Sequence, residues 1–378
     1  MRLLEAAAAD DFVPHILTTD GEDPDLVAAL RERGWTVEVL AAPPTTVKHR
    51  LHQHLKRLPS PFIPSVDARL RELVHEPGTV VQIEHTQSAY YDQALAGVPW
   101  VLSLHNVDSE LLRTIAQTKR PGTPAWLRAW SQWQAMRTVE RREVRRATAT
   151  LCVSESDGRQ LEAPGAELIV SPNGIDDDFF EIPLEGAEED RVLFFGRHDY
   201  PPNEHGLARF LRESWPLVSA ARPGARLRIA GSGATEEVRE LSAATPGVEF
   251  IGFVDDLGAE IAASSLTVVP LWAGGGTRLK VVEGMASSRP IVGTGLGVEG
   301  VGFESGRHGI VAESPRDLAT GVVELLANPA RGRELGLAAR AHAEQFRWRY
   351  TTAPAVELYR RLLGRGQDST RNKAFTAS

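Results

Sequence analysis

The chain has 378 residues, of which 42% are hydrophobic and 24% charged, and a formal net charge of -8. A single hydrophobic core stops growing near ~250–300 residues, so two domains are expected, with the composition of an ordinary soluble globular protein. The acidic balance excludes a general nucleic-acid binder, which needs a basic surface against phosphates, and leaves only a local basic patch open.

Met1–Asp10 reads as a helix. Short apolar runs then alternate with helical stretches. Strands are predicted at Pro14–Thr18, Thr36–Leu40, Thr79–Ile83, Trp100–Leu104, Thr150–Val153 and Glu167–Val170. A second series runs Arg191–Phe195, Arg226–Ala230, Val248–Gly252, Leu266–Pro270, Pro290–Gly293 and His308–Val311. Continuous apolar runs between helices signal parallel strands buried on both faces. Two such series imply two doubly wound α/β domains. A domain of this kind should open with a strand and a glycine-containing loop, and here a helix comes first. That points to an absent first strand and loop, through a start set too late, through truncation or through genuine loss. The seam falls near Pro172–Arg191, where Asn173-Gly174, Asp176-Asp177-Asp178 and Glu185–Asp190 give turn chemistry and a charged linker. The expected division is therefore 1–172, 173–349, a C-terminal helix at 350–363 packing back on the first domain, and a disordered polar tail at 364–378. The single cysteine, Cys152, can form no internal disulfide and sits in the apolar run Leu151-Cys152-Val153, as a buried small hydrophobe would. No apolar run approaches the ~18–20 residues that cross a bilayer, and no secretory signal opens the chain, so a cytoplasmic protein is expected.

The most informative segment is Pro270–Glu283. A strand ends, Gly274-Gly275-Gly276 follow, and a helix is predicted to start near Thr277. Glycines let backbone amides approach a ligand, and a helix start adds positive potential, which together make an anion site. Arg278 and Lys280 add charge. Glu283, flanked by Val281, Val282 and Met285, needs a partner that a ribose hydroxyl pair would supply. The segment lacks the Gly-Lys-Ser/Thr of a nucleoside-triphosphatase loop, and Gly231-Ser232-Gly233 lacks the third glycine of the dinucleotide fingerprint, where Glu236 stands. Gly196 and Arg197 end the strand Arg191–Phe195, where open α/β sheets bind ligands, and the Arg197 fork suits a diphosphate. His105 ends the strand Trp100–Leu104, either as a structural histidine or as one that faces an interdomain cleft and bonds a sugar hydroxyl. Asn173-Gly174 is a turn first and a ligand contact second.

Taken together these residues resemble the retaining family-4 glycosyltransferases of the two-domain GT-B fold, in the variety that carries Gly-Gly-Gly-Thr-Arg-Leu-Lys. The resemblance covers most of the chain and is strongest over Val192–Gly300, through Gly196-Arg197, Ile229–Gly233, Gly252–Asp256, Gly274–Lys280, Glu283–Ala286 and Gly297–Gly300. In the first domain it rests on His105-Asn106-Val107, Val153-Ser154 and Pro172–Ile175. It implies an α/β GT-B architecture of two Rossmann-like domains facing a central cleft. It implies transfer of a sugar from a nucleoside-diphosphate donor, of UDP or GDP type, to an acceptor hydroxyl with retention of configuration. Arg197 and Lys280 would meet the donor diphosphate and His105 the transferred sugar. Glu283 would bind the ribose, Val254 the base, and the amides from Gly276 through Thr277, Arg278 and Leu279 to Lys280 the phosphates. Asn173, Gly196, Asn203, Gly231, Gly233 and Gly275 complete the implied donor site. Two positions depart from the family. Gly275 stands where a sugar-holding glutamate is common, and Asn203 where the phosphate-binding lysine is usual, so Lys280 or Arg278 is expected to restore the charge.

The chemistry needs preorganised positive potential at the leaving diphosphate, where each cationic group is worth roughly 2–4 kcal/mol. No metal and no cofactor are expected, since Asp176-Asp177-Asp178 lies in the linker. The leaving phosphate is expected to take the acceptor's proton, and domain closure to exclude water. The acceptor, a glycan, a lipid-linked sugar or a small metabolite, should meet the first domain. There Trp126, Trp130 and Trp133 at helical spacing precede Arg137, Arg141, Arg142, Arg145 and Arg146. This is either a core stripe with a solvated basic face or a contact, through 124–147, with the inner face of the membrane. Two alternatives remain: a catalytically silent nucleotide-sugar-binding partner protein, and a GT-B nucleotide-sugar epimerase, for which Gly275 removes one candidate acid/base.

Overall fold

The protein is described from a computed structural model, over residues 1–19, 23–41, 63–95, 97–117, 119–161, 163–273, 278–364 and 373–377. Its strands are β1 (Val13–Thr19), β2 (Thr36–Leu40), β3 (Thr79–Glu84), β4 (Trp100–Leu104), β5 (Ala149–Cys152), β6 (Leu168–Val170), β7 (Arg191–Phe195), β8 (Arg226–Ala230), β9 (Val248–Gly252), β10 (Leu266–Val269), β11 (Ile291–Gly293), β12 (Gly309–Val311) and β13 (Lys373–Ala377). The chain forms two compact units, Met1–Pro172 with Arg349–Ser378, and Asn173–Trp348.

The first unit carries a parallel sheet in the order β2-β1-β13-β3-β4-β5-β6. β4 and β5 are buried along their whole length, as continuous apolar strands must be when both faces are covered. The two-residue period sorts their neighbours. Val81, Ile83, Leu102 and Leu104 pack into one core with Val66, Leu70 and Leu73, which come from the helix Pro64–Leu73. Val80, Val101 and Leu151 face the other way, onto Val356, Leu358, Tyr359 and Leu362 of the helix Ala353–Gly364. Each such side chain contributes about 1.5–3 kcal/mol on burial.

The tail corrects one expectation. Within the predicted disordered stretch 364–378, Lys373–Ala377 is a strand, paired in parallel with both β1 and β3. Two sheet edges facing each other across one strand's width leave rows of unmet backbone donors and acceptors, and a short extended segment satisfies both at once.

In the second unit the parallel order is β12-β11-β10-β7-β8-β9. β7 and β10 are wholly buried. Phe194, Val192, Leu227 and Ile229 meet Leu207, Phe210, Trp215 and Leu318 in the main core. Val281, Val282 and Met285 of the helix Leu279–Ala286 enter a second core with Val269, Ile291 and Phe346. Ser314 and Asn328 cap the helices Pro315–Ala327 and Pro329–Ala343 by accepting from Asp317 N and Arg331 N, with proline as the first helical residue.

Candidate active site

The second unit gathers polar side chains at the carboxyl end of β7. Apolar Val281, Val282 and Met285 anchor one face of the helix Leu279–Ala286, which leaves Lys280 and Glu283, one turn apart, on another. Lys280 Nζ donates to Asn203 Oδ1 at 2.7 Å, and Asn203 Nδ2 donates to the Arg197 carbonyl at 2.6 Å. The same ammonium lies 4.6 Å from the centre of the Phe194 ring, a cation–π contact. Beneath it is Gly196, at φ 139°, where a Cβ would stand 2.9 Å from Nζ. Only glycine leaves that space. Gly231, at φ 134°, is tighter still, because a Cβ there would fall 1.9 Å from the Gly196 carbonyl oxygen.

Burial pushes the Lys280 ammonium down to about 7, against the opposing pull of Glu283. Burial likewise pushes Glu283 up to about 7, with Lys280 opposing. Both groups are thus held near neutrality, short of the compensation a bound ligand would bring. Asn203 carries no charge, and Lys280 bonds it from another helix. Arg278 is buried, and its Nε donates to the Leu296 carbonyl at 3.1 Å.

Arg197 lies on the surface and forks onto Asp199, at 3.0 and 2.6 Å. Asp199, a partner the sequence reading did not name, engages its Nε and Nη2. Gly233, at φ 78°, packs against Asp199. His198 is buried between the Phe194 and Phe250 rings, with Nε2 3.2 Å from the Ala230 carbonyl. Val254 follows β9 and packs against the cluster of Ile182, Leu193, Phe195, Ala230 and Ile261. Leu279 is exposed at the first turn of its helix, and Asn173 opens the second unit. Gly275, Gly276 and Thr277 lie outside the described residues, so the amide cradle expected of them has no geometry here. An acidic depression of about 570 Å³ near Asp178, Glu181, Asp255 and Asp256 holds none of these groups, and its charge repels a diphosphate. Among the described residues no group of three or more His, Cys, Asp or Glu could hold a metal ion.

In the first unit His105 follows β4 and meets Glu84, the last residue of β3, with Nε2 to Oε2 2.9 Å. Neither Glu84 nor its partners Gln82 and Tyr359 stood out in the sequence. The available signal was a pair of polar residues, two apart, in the apolar run Thr79–Glu84. In the helix Pro124–Arg146 the tryptophan stripe is not core: Trp130 is exposed and stacks with Trp126, while Ala129, Val139, Glu140, Glu143 and Val144 are buried instead. Cys152 is buried, and burial pushes its thiol up to about 11.

Two family models match this chain: Glycosyltransferase Family 4 over residues 25–179, and Glycosyl transferases group 1 over residues 189–328. One match lies in the strand series before the seam and the other in the series after it. Both halves of the chain thus match glycosyltransferase models, the first of them the family-4 model. Among relatives, the phosphatidyl-myo-inositol mannosyltransferase of Mycobacterium tuberculosis is 29% identical over 220 residues, which are 55% of this chain and 57% of that protein. The D-inositol 3-phosphate glycosyltransferase of Rhodococcus opacus is 32% identical over 143 residues, covering 37% and 30% of the two chains. The matches thus span 57% of the length of the first of these relatives and 30% of the second. Among solved structures, Anabaena HepE in complex with UDP and glucose superposes with a TM-score of 0.66 at 17% identity, over 92% of this chain and 100% of that one. Sucrose-phosphate synthase from Thermosynechococcus elongatus gives 0.62 at 19% identity, over 93% and 100%. At these identities the likeness establishes the fold, GT-B with two Rossmann-like domains.

Proposed function

We propose that this chain is a family-4 glycosyltransferase that transfers a glycosyl group from a nucleoside-diphosphate sugar to an acceptor hydroxyl, with retention of configuration and without a metal ion. The observation that carries the reading is the Lys280 ammonium, set over Gly196 at the carboxyl end of β7 and tied to Asn203. Breaking a sugar–phosphate bond builds negative charge on the departing diphosphate. A cation already in place, in a site with little water, lowers that barrier without reorganising at the moment of reaction. Lys280 is the resident cation, and Arg197 joins it on release from Asp199. Glu283, one turn further along the helix, accepts from the ribose hydroxyls. The amides from Gly276 to Lys280 complete the phosphate contacts, Val254 and Asn173 border the donor, and His105 meets the transferred sugar. The departing phosphate takes the acceptor's proton.

The acceptor is proposed to lie at an anionic membrane surface. Leu127 and Trp130 on the helix Pro124–Arg146, and Leu111 and Ile115 on the helix Asp108–Gln117, are exposed apolar side chains, with Arg128, Arg142, Arg145 and Arg146 exposed on the longer helix. Apolar residues beside cations suit a headgroup boundary. No helix among the described residues is long and apolar enough to cross a membrane. Co-sedimentation with vesicles containing phosphatidylglycerol, but not with purely zwitterionic ones, is the expected result.

The donor reading is tested by thermal shift against UDP, GDP and their sugars, followed by transfer to a panel of lipid, glycan and small-polyol acceptors. Stabilisation by one diphosphate together with turnover of its sugar is expected. Binding without turnover across the panel would favour a silent nucleotide-sugar-binding partner, and no binding at all would remove the proposal.

A further inference from the structure

The first unit holds a chain of buried side chains that the donor site does not use. Glu84 ends β3 with its carboxylate largely shielded from water, and a shielded carboxylate must be met by donors. Three arrive. Gln82, two residues earlier on the same face of the strand, donates from Nε2 to Oε1 at 2.5 Å. The Ser103 hydroxyl, on neighbouring β4, bonds it as well. His105 Nε2 lies 2.9 Å from Oε2. Gln82 is fixed in turn by the hydroxyl of buried Tyr359, from the helix Ala353–Gly364. The carboxylate therefore has one orientation, locked from behind by a phenol and an amide.

His105 is placed differently. Its side chain is 45% exposed, whereas that of Glu84 is 16% exposed. A purely structural pair has no need to leave half of the imidazole in solvent at the end of the sheet where open α/β folds bind ligands. The residue after Glu84 adds a second mark. His85 holds φ 65°, an uncommon conformation for a side-chain-bearing residue, and its ring lies 4.9 Å from that of His105. Such strain persists where the surroundings require one geometry.

We propose that Glu84 is the positioning residue of His105. It grips the imidazole through Nε2 and so fixes the ring, leaving Nδ1 to meet a hydroxyl of the sugar substrate. The role rests on the glycosyl-transfer reading above; the pairing itself does not. The bond from Glu84 raises the His105 pKa, burial opposing it. For Glu84 burial would raise the carboxyl, but the bonds from His105, Gln82 and Ser103 bring it below its ordinary value. The other charges near this pair are few. His85 feels His105 and Asp108, the α-amino group of Met1 opposes the imidazolium, and Tyr359 feels Glu84.

The test is the titration of His105 by NMR of histidine-labelled protein, with His105→Gln assigning its resonance. Glu84→Gln keeps the shape and removes the charge. The His105 pKa should fall by about one pH unit or more, the usual effect of removing an adjacent opposite charge. Glu84→Asp restores the charge and should recover part of the shift. The alkaline limb of kcat/KM for transfer should move to lower pH in Glu84→Gln, with melting temperature monitored so that a general loss of fold is seen. An unchanged His105 titration in a folded Glu84→Gln protein overturns the pairing. A shifted titration with an unmoved alkaline limb overturns the positioning role. If the wild-type chain transfers no sugar to any acceptor, the glycosyl-transfer reading fails, while the NMR result still decides the pair.

Discussion

Glu84 in the first unit and Glu283 in the second are both carboxylates withdrawn from water, yet their surroundings differ. Glu84 receives Gln82, Ser103 and His105, and it stays ionised below the ordinary carboxyl value despite its burial. Glu283 has no such set of donors among the described residues, and burial drives it up to about 7, while nearby Lys280 is driven down to about 7. One site is already balanced by its own side chains. The other has no such balance among the described residues, and the proposed nucleoside diphosphate would offer an anion to the lysine and hydroxyls to the glutamate. A site that is satisfied when empty positions a group. A site that is unsatisfied when empty binds one.

The contrast breaks most clearly at Lys280. Lys280→Ala should lower transfer by about 100- to 1000-fold, the loss seen when one preorganised charge-stabilising group is removed, with the fold intact by circular dichroism. Because Asn203 Oδ1 sits 2.7 Å from Nζ, the double variant Lys280→Ala with Asn203→Lys should regain part of that activity. No recovery would mean that the two positions do not address the same point. Gly231→Ala comes next. A Cβ 1.9 Å from the Gly196 oxygen, at φ 134°, should destabilise the second unit by about 2–4 kcal/mol in urea unfolding and leave the first unit's hydrogen exchange unchanged. The smallest effect sharpens the comparison through pH. A Lys280 pKa lowered to about 7 leaves the amine mostly neutral at pH 8, and a bound diphosphate favours the ammonium. Binding at pH 8 should therefore take up close to one proton, and affinity should fall by up to about tenfold per pH unit above 7. Below about 7, Glu283 becomes protonated and loses its charge and part of its acceptor capacity, so affinity should peak near neutrality. Calorimetry in two buffers of different ionisation enthalpy measures the uptake, and Lys280→Met should abolish it.

Much of the scaffold was legible because parallel strands advertise themselves. Arg191–Phe195, Arg226–Ala230 and Val248–Gly252 are strands with the bounds their apolar runs suggest. The glycines at 196, 231 and 233 were visible as exceptions, and their positive φ values explain why. Partners were less legible. Nothing in Asp199 marks it as the clasp of Arg197, and a tryptophan stripe at helical spacing suited either a core or a surface contact until Trp130 proved exposed. Arg278 and Lys280 looked interchangeable as charge donors. Only the direction of each side chain from the helix separates them: one is bound to Leu296, the other faces Asn203.

Local patterning by itself determined the two strand series, the faces of their helices and the glycine positions, because hydrophobic period and backbone sterics act within a few residues. The tertiary structure decided which distant groups meet. It set Lys280 against Asn203 across 77 residues and Tyr359 against Gln82 across 277, and it placed Lys373–Ala377 between β1 and β3. Burial then shifted the charges, and burial belongs to the packed whole rather than to any segment.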